Sequence, residues 1–174
     1  MPSVLFPTAF GTCGLSWSEG RLTRFHLPEE SEALTRKRLE TRGEACTGED
    51  ESPQWVRSII ARVRLHFEGD LQDFSDVPLE WSRVSDFQQS VYRQTQSIGA
   101  GYKRGYGEVA LALALGPGSA RAVGVALATN PWPLIVPCHR VVSADDRMTG
   151  FSGPGGVRTK TRLLALEGAE LLSD

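Results

Sequence analysis

Residues 106–129 read YGEVALALALGPGSARAVGVALAT and predict two helices joined by a tight turn. The first helix, Tyr106 to Leu115, consists largely of strong helix formers and stops at a Gly-Pro-Gly sequence. Ser119 then offers an N-cap to a second helix, which runs from Ala120 to about Thr129 and has to end before two closely spaced prolines. Two helices around a short, glycine-containing turn form a helix-turn-helix, a motif that often presents its second helix to DNA.

The second helix of this pair has almost no bulky side chains, and Arg121 is its only charged residue. Two interpretations are open on the residues alone. A helix this apolar is typical of a buried position, and its periodicity favours that interpretation. The alternative is a surface helix whose small face lies flush in a narrow groove of DNA while Arg121 projects from the first turn, because small residues permit a close approach of the backbone.

A cysteine between Pro137 and His139 is the candidate nucleophile of the chain. Cys138 follows an apolar run, Leu134 to Val136, and precedes the pair Val141-Val142, so it is expected on a tight turn with limited access to solvent. An adjacent histidine or helix N-terminus can lower the pKa of a cysteine and produce the thiolate, which is the reactive species. The segment therefore predicts nucleophilic chemistry, and the alternative is an inert, buried cysteine.

The first half of the chain has the pattern of a small α+β unit. Leu22 to Leu27 alternates apolar and polar residues after a Glu19-Gly20 turn, which predicts a β-hairpin. Residues 40–54 are acidic, polar and rich in turn formers, and they predict a loop or an irregular excursion of the chain. Apolar residues then recur at helical spacing from Trp55 to Phe67, with Gly69 in the position of a C-cap, and predict an amphipathic helix.

A connector divides the chain into two predicted domains. Residues 72–86 include Pro78, which disfavours a helix, and they read as an extended segment. We place the boundary near residue 85, which gives an N-terminal α+β domain over residues 1–85 and a second domain over residues 86–174. The second domain opens with a predicted helix that Ser85 or Asp86 caps.

The composition is that of an ordinary globular protein, with 40% apolar and 23% charged residues, and it excludes intrinsic disorder and a coiled coil. No apolar run approaches the roughly 18–20 residues that span a bilayer, and the N-terminus does not resemble a secretory signal. Residues 1–86 carry a net charge of -5 and residues 87–174 a net charge of +3. A basic second half can attract a polyanion, although ordinary surface charge explains a bias of this size as well.

Three cysteines, Cys13, Cys46 and Cys138, stand at wide and unequal spacing. An odd number with this spacing supports neither a disulfide framework nor a four-cysteine zinc site. We therefore expect a reducing, cytoplasmic location, no metal and no cofactor.

Three segments of the second half recur together in one known family. Pro137-Cys138-His139-Arg140-Val141-Val142, preceded by Asn130-Pro131 and by the helix from Ala120 to Gly124, resembles the signature of the O6-alkylguanine-DNA alkyltransferases, also called methylated-DNA-protein-cysteine methyltransferases. The resemblance extends from about Phe87 to Gly168, while residues 1–86 are similar to the family only in size and in their hairpin-first layout. It implies an α+β N-terminal domain followed by a winged-helix-like domain with a helix-turn-helix.

The resemblance also implies a reaction. Cys138 would attack the alkyl carbon of O6-alkylguanine and keep the alkyl group as a thioether, so that each protein molecule acts once. His139 would take the thiol proton through a bridging water, and Glu167 would orient the imidazole and stabilise its protonated form. Tyr106 would donate a hydrogen bond to the leaving guanine, and Asn130 would brace the turn that carries Cys138.

The DNA-binding residues follow from the same resemblance. The partner would be double-stranded DNA that contains O6-alkylguanine, bound through its minor groove without regard to sequence. Arg121 would enter the stack where the flipped nucleotide was, and Ala120, Ala122 and Gly124 would line the groove. Flipping is required because the guanine O6 lies inside the pairing edge of the duplex, where a buried thiolate cannot reach it.

The base pocket is the part where the chain departs from the family. The carbonyl of Val141 and the backbone of Ser152 and Gly153 would hold the extruded base. Phe151 would form an aromatic wall where the family often has a tyrosine, and the loop Ser152 to Gly156 is about two residues longer than usual.

Two other functions are weighed against this one. A non-enzymatic relative that only binds lesions lacks the acceptor cysteine, which this chain has as Cys138. A helix-turn-helix regulator is disfavoured because the second helix has few side chains that can read the edge of a base in the major groove. We therefore expect a self-inactivating DNA repair alkyltransferase that acts as a monomer and does not contact membranes.

Overall fold

The computed structural model describes residues 1–40, 45–143 and 154–169, and of Ala45 the backbone alone. These residues divide into two compact units, one made of residues 1–72 and 76–80 and the other of residues 73–75 and the chain from Trp81 onward. The units are groups of residues in mutual contact, and the domain boundary near residue 85 stays a prediction. None of the helices in the described part of the chain is long and apolar enough to cross a membrane.

The first unit contains a four-stranded sheet in the order β3-β2-β1-β4. The three N-terminal strands form an antiparallel meander, and β4 pairs in parallel with β1. Glu19 and Gly20 join β2 to β3 with φ angles of 50° and 80°, the positive pair that a tight two-residue hairpin turn requires. The predicted hairpin is therefore confirmed. The strands are β1 (Pro2–Thr8), β2 (Gly11–Ser18), β3 (Arg21–His26) and β4 (Ala45–Thr47).

Two helices accompany this sheet, α1 (Glu32–Glu40) and α2 (Gln54–Phe67). The amphipathic helix predicted from Trp55 to Phe67 is confirmed as α2, and Gly69 follows it with a φ of 100°. The prediction of a loop over residues 40–54 is wrong in part, because β4 and a 3-10 turn at Glu49–Glu51 lie within it. A strand of three residues is too short to show the two-residue periodicity by which strands are recognised.

The second unit contains four helices among its described residues and a short parallel strand pair. Ser85 caps α3 in a capping box with Gln88, which agrees with the predicted helix start. The strands β5 and β6 pair Arg104 with Val141 and Gly105 with Val142. The mixed helix and sheet fold is thus confirmed, with the helix-turn-helix formed by α4 and α5. The elements are α3 (Asp86–Gln96), β5 (Arg104–Gly105), α4 (Tyr106–Ala112), α5 (Ala120–Ala128), β6 (Val141–Val142) and α6 (Gly156–Leu166).

The turn between α4 and α5 differs from the prediction in two details. The helix α4 ends at Ala112 rather than Leu115, because Ala114 adopts a left-handed φ of 56° and Leu115 N–H donates to the Ala110 carbonyl at 3.0 Å. Ser119 precedes α5 as predicted, but its hydroxyl donates to the Gly116 carbonyl at 2.6 Å instead of capping the helix. The serine therefore stabilises the turn and not the helix end.

Aromatic packing fixes the second unit around the helix-turn-helix. The Tyr92 hydroxyl of α3 donates to the Ala126 carbonyl of α5 at 2.6 Å, and both residues are buried. Trp132 packs edge-on against Tyr92 and Trp81, with ring centroids 6.2 Å and 5.4 Å away. These contacts hold α3 and α5 against the proline-rich segment that leads to Cys138.

The helix α5 is neither fully buried nor fully exposed. Val123, Ala126 and Leu127 lie in the core, whereas Arg121 and Val125 are exposed. One side of α5 is therefore buried and the other is exposed, and the contact of the exposed side with DNA stays a prediction.

Candidate active site

The candidate nucleophile lies on a sharp turn made by Pro137. The proline has φ -80° and ψ 64°, and Cys138 N–H donates to the Val136 carbonyl at 2.8 Å, which is the geometry of an inverse γ-turn. Arg140 N–H then donates to the Pro137 carbonyl at 2.9 Å and closes a 3-10 turn over Cys138–Arg140. The turn buries three consecutive functional side chains, Cys138, His139 and Arg140.

Asn130 holds this turn from the preceding loop. Its amide nitrogen donates to the Val136 carbonyl at 2.9 Å, and its amide oxygen accepts from Trp132 N–H at 2.9 Å. The same side chain also contributes a hydrogen bond that favours the Cys138 thiolate. Asn130 thus ties the residue before Pro137 to the core and contacts the thiol as well.

The environment of Cys138 opposes its ionisation. Burial raises the pKa of the thiol, and this effect outweighs the hydrogen bond from Asn130, the positive charge of Lys160 and the backbone hydrogen bonds, all of which lower it. The sequence suggested that the neighbouring histidine would lower this pKa, and the structure differs because desolvation dominates. Cys138 is therefore a thiol at neutral pH and needs a base to become a nucleophile.

His139 is joined to Glu167 inside the protein. Nε2 of His139 lies 2.9 Å from Oε1 of Glu167, and neither side chain is exposed. A proton taken from the thiol would go to the other ring nitrogen, Nδ1, and the carboxylate would stabilise the imidazolium that forms. A cysteine followed by a histidine that is held by a carboxylate can generate and use a thiolate nucleophile.

Arg140 completes this cluster, although the sequence analysis gave it no role. Its guanidinium donates from Nε to Oε1 of Glu167 at 2.9 Å and from Nη2 to Oε2 at 2.8 Å. Its Nη1 donates to the Ile98 carbonyl at 2.6 Å. This bidentate pair fixes the plane of the carboxylate on which His139 depends. A charged residue directly before the apolar pair Val141-Val142 was the signal that could have revealed it.

Glu167 occupies an unusual place for an anion. The helix α6 ends at Leu166, so Glu167 is its C-cap residue. A carboxylate at a helix C-terminus is opposed by the helix dipole, and Arg140 offsets that repulsion. The position also lets Gly168, with a φ of 76°, turn the chain away.

A buried lysine, Lys160, lowers the pKa of the Cys138 thiol through its positive charge, although no role was predicted for it. Lys160 is 1% exposed, and its Nζ donates to the Val141 carbonyl at 2.8 Å and lies 5.7 Å from the centroid of the Tyr106 ring. Burial lowers the pKa of this lysine, while the charge of Cys138 raises it. Lys160 in α6 precedes Glu167 by seven residues, about two helical turns, and that spacing was its only signal.

Tyr106 lies close to both α5 and α6, two helices that carry predicted or observed site residues. It opens α4 and is half-buried, with the Lys160 ammonium near its ring. A Cβ added at Gly124 would lie 3.7 Å from the Tyr106 ring, so the glycine brings the backbone of α5 close to the tyrosine. Arg121 and Ala122 are exposed on the same helix, and Ala120 is half-buried.

The remaining predicted pocket residues, Phe151, Ser152 and Gly153, lie outside the described residues. The structure thus brings together Cys138, His139, Glu167 and Asn130, and it links Tyr106 and Val141 through Lys160. Within residues 1–40, 45–143 and 154–169, no group of three His, Cys, Asp or Glu side chains could hold a metal ion.

Known proteins are similar to this chain in sequence and in fold. The family model of the 6-O-methylguanine DNA methyltransferase DNA-binding domain matches residues 86–169. The methylated-DNA-protein-cysteine methyltransferase of Mycolicibacterium paratuberculosis is 42% identical over 121 residues, which are 70% of each chain, and that of Haemophilus influenzae is 37% identical over 67% of each chain. The crystal structure of Mycobacterium tuberculosis OGT in complex with DNA superposes with a TM-score of 0.76 at 32% identity, covering 97% of this chain and 93% of that one.

The fold, with its helix-turn-helix, and these similarities define a DNA methyltransferase of the kind that transfers methyl groups from methylated DNA to a protein cysteine. The chain belongs to the methylated-DNA-protein-cysteine methyltransferase family.

Proposed function

We propose that this protein repairs DNA by moving the alkyl group of O6-alkylguanine onto Cys138. The observation that carries the proposal is the buried arrangement of Cys138, His139 and Glu167, with Arg140 fixing the carboxylate. His139 receives the thiol proton through a water. The Cys138 sulfur then forms a bond to the alkyl carbon as the bond from that carbon to the guanine O6 breaks.

The leaving guanine carries a negative charge that has to be neutralised. Tyr106 donates a hydrogen bond to the guanine anion as it leaves. The proton that His139 took from the thiol finally passes to the guanine, so that both the imidazole and the guanine end neutral. Lys160 keeps a positive charge near both Tyr106 and Cys138 and thereby favours the two anions that form along the reaction. The thioether is stable, so each molecule acts once.

The extruded base needs partners at its pairing edge. The Val141 carbonyl already accepts one hydrogen bond, from Lys160, and a carbonyl oxygen has a second lone pair that can accept from the guanine amino group. Ser152 and Gly153 supply the backbone groups and Phe151 the aromatic wall in this proposal.

DNA binding is assigned to the exposed side of α5. Arg121 is exposed in its first turn and fills the stack that the flipped nucleotide leaves, while Ala120, Ala122 and Gly124 let the helix lie close to the minor groove. Binding does not depend on sequence, and it is salt-sensitive because phosphate contacts supply most of the affinity. The proposal includes a monomer in the cytoplasm, without a cofactor.

Intact-mass measurement tests the reaction directly. After incubation with a duplex that contains one O6-methylguanine, the protein is expected to gain one methyl group in place of a hydrogen, about 14 Da. Digestion of the product is expected to place this methyl group on the peptide that contains Cys138. Excess substrate is expected to add nothing further. Repeated turnover, or a methyl group on Cys13 or Cys46, contradicts the proposal.

Replacement of Arg121 separates flipping from chemistry. Arg121→Ala is expected to slow repair of a methylated duplex by at least about tenfold, because an unfilled gap leaves the extrusion cost of a few kcal/mol uncompensated. The reaction with free O6-benzylguanine, which needs no extrusion, is expected to stay within about twofold of the parent rate. Equal losses on both substrates in single-turnover assays would show that Arg121 supports the pocket instead.

A further inference from the structure

A buried tyrosine connects the helix that carries Arg121 to the segment that carries Cys138. Tyr92 belongs to α3 and is fully buried. Its hydroxyl donates to the Ala126 carbonyl of α5 at 2.6 Å. Ala126 lies in the last turn of α5, where a carbonyl lacks its regular partner four residues further on and is open to a donor from another element.

A second hydroxyl meets the same carbonyl. Thr129 donates to the Ala126 carbonyl at 3.1 Å and accepts from Nε2 of Gln88, another residue of α3, at 2.9 Å. Burial raises the pKa of Tyr92, and this effect outweighs a hydrogen bond from Thr129, which lowers it, while the charge of Cys138 raises it as well. The phenol therefore keeps its proton, and stays a donor to α5, even while Cys138 is ionised.

The ring of Tyr92 packs against the segment that leads to Cys138. The centroids of the Tyr92 and Trp132 rings are 6.2 Å apart in an edge-on arrangement, and both rings are fully buried. The Trp132 carbonyl accepts from Val136 N–H at 2.8 Å, and the Val136 carbonyl accepts from Cys138 N–H at 2.8 Å. Because a closely packed interior leaves little free space, a shift of one ring moves the other, and two backbone hydrogen bonds pass that shift to the nucleophile.

We infer that Tyr92 fixes the distance between α5 and Cys138 and is thereby a positioning residue for alkyl transfer out of a duplex. The inference rests on the proposed function, in which α5 holds the duplex and Cys138 reacts with a base extruded from it. The helix and the sulfur then have to keep one separation, because a misplacement of about 1 Å between reacting groups can cost about a hundredfold in rate. A free base reaches the sulfur without any contact with α5, so its reaction does not depend on that separation.

Removal of the hydroxyl tests this role. Tyr92→Phe keeps the ring against Trp132 and loses the hydrogen bond to α5. In single-turnover assays at saturating DNA, transfer from an O6-methylguanine duplex is expected to slow by about tenfold, while the reaction with free O6-benzylguanine stays within about twofold of the parent rate. The affinity for undamaged duplex, measured by fluorescence anisotropy, is expected to be unchanged, because the exposed side of α5 is not altered.

Thr95→Val is the matched control. Thr95 is fully buried in the same helix, and its hydroxyl donates to the Val91 carbonyl of that helix at 2.7 Å. The variant loses one buried hydrogen bond without touching α5, so it is expected to lower the melting temperature and to leave the ratio of duplex rate to free-base rate unchanged. A ratio that falls equally in both variants, or in neither, overturns the inference, since Tyr92 would then contribute to stability alone.

The free base also separates this inference from the proposed function. An equal slowing of both substrates in Tyr92→Phe overturns the inference alone, because the hydroxyl would then act on the thiol or the fold and not on its distance from the duplex. A parent chain that reacts with neither substrate overturns the proposed function and the inference with it.

An exposed residue provides a second variant. If Tyr92→Phe does not fold, Thr129→Val takes its place, because it removes the other hydroxyl donor to the Ala126 carbonyl at an exposed position. The same fall in the ratio of duplex rate to free-base rate supports the inference, and an unchanged ratio overturns it.

Discussion

Cys138→Ser is expected to abolish alkyl transfer while leaving the affinity for undamaged duplex DNA unchanged. The serine hydroxyl is a far weaker nucleophile than a thiolate and is not ionised near neutral pH by a single neutral imidazole. The substitution changes one buried atom on a turn that Asn130 and Pro137 hold through the backbone, so the fold is expected to persist. Intact mass after exposure to methylated DNA measures the transfer, and fluorescence anisotropy measures DNA binding.

Two other thiols provide matched controls for this experiment. Cys13 is fully buried, and burial raises its pKa to about 12, so it is not expected to react. Cys46 is partly exposed and accepts a hydrogen bond from the Ser3 hydroxyl at 3.4 Å. Cys13→Ala and Cys46→Ala are each expected to leave the methyl transfer intact. If Cys138→Ser still accepted a methyl group, and this transfer disappeared when Cys46 was also replaced, the acceptor would be Cys46 and the assignment of Cys138 would be wrong.

Local pattern was enough to predict most of the helices. The apolar spacing of α2, the Ser85 cap of α3 and the glycine-rich turn before α5 are all properties of residues close together in the chain, and all three are confirmed. The end of α4 was predicted wrongly, because it depends on a backbone conformation that the residue type does not indicate. Ala114 adopts the left-handed conformation that glycine usually supplies, which ended α4 three residues early.

The site was less predictable because its contacts join distant residues. His139 meets Glu167 over 28 positions, and Lys160 meets Val141 over 19. No periodicity connects residues so far apart, so Glu167 came from family resemblance alone, and Arg140 and Lys160 received no role. Cys138, in contrast, was singled out by its own position between Pro137 and His139, whereas Asn130 too was assigned through the resemblance. The roles of these residues in the reaction stay predictions.

The carboxylate of Glu167 is expected to be the second most sensitive position of the site. Glu167→Gln keeps the shape of the side chain and an oxygen for His139, but it removes the charge that stabilises the imidazolium. The rate of reaction with free O6-benzylguanine is expected to fall by about 10²- to 10⁴-fold, the range that general base catalysis contributes. The free base is the right substrate because its reaction does not depend on DNA binding or extrusion.

The same substitution is expected to destabilise the protein. Arg140 is 5% exposed and donates two hydrogen bonds to the carboxylate, so the neutral amide leaves a buried cation without its counter-charge. Breaking a buried ion pair in this way lowers the free energy of unfolding by about 3–5 kcal/mol. Urea denaturation of the parent and the variant measures this loss.

A double substitution separates the two effects of Glu167. Replacing both partners of a buried ion pair by uncharged residues is often neutral or stabilising, so Glu167→Gln combined with Arg140→Met is expected to regain most of the stability that Glu167→Gln loses. The rate is expected to remain low, because His139 still lacks an anionic partner. If stability and rate recovered together, the carboxylate would serve only to neutralise Arg140, and the base role of the His139 and Glu167 pair would be wrong.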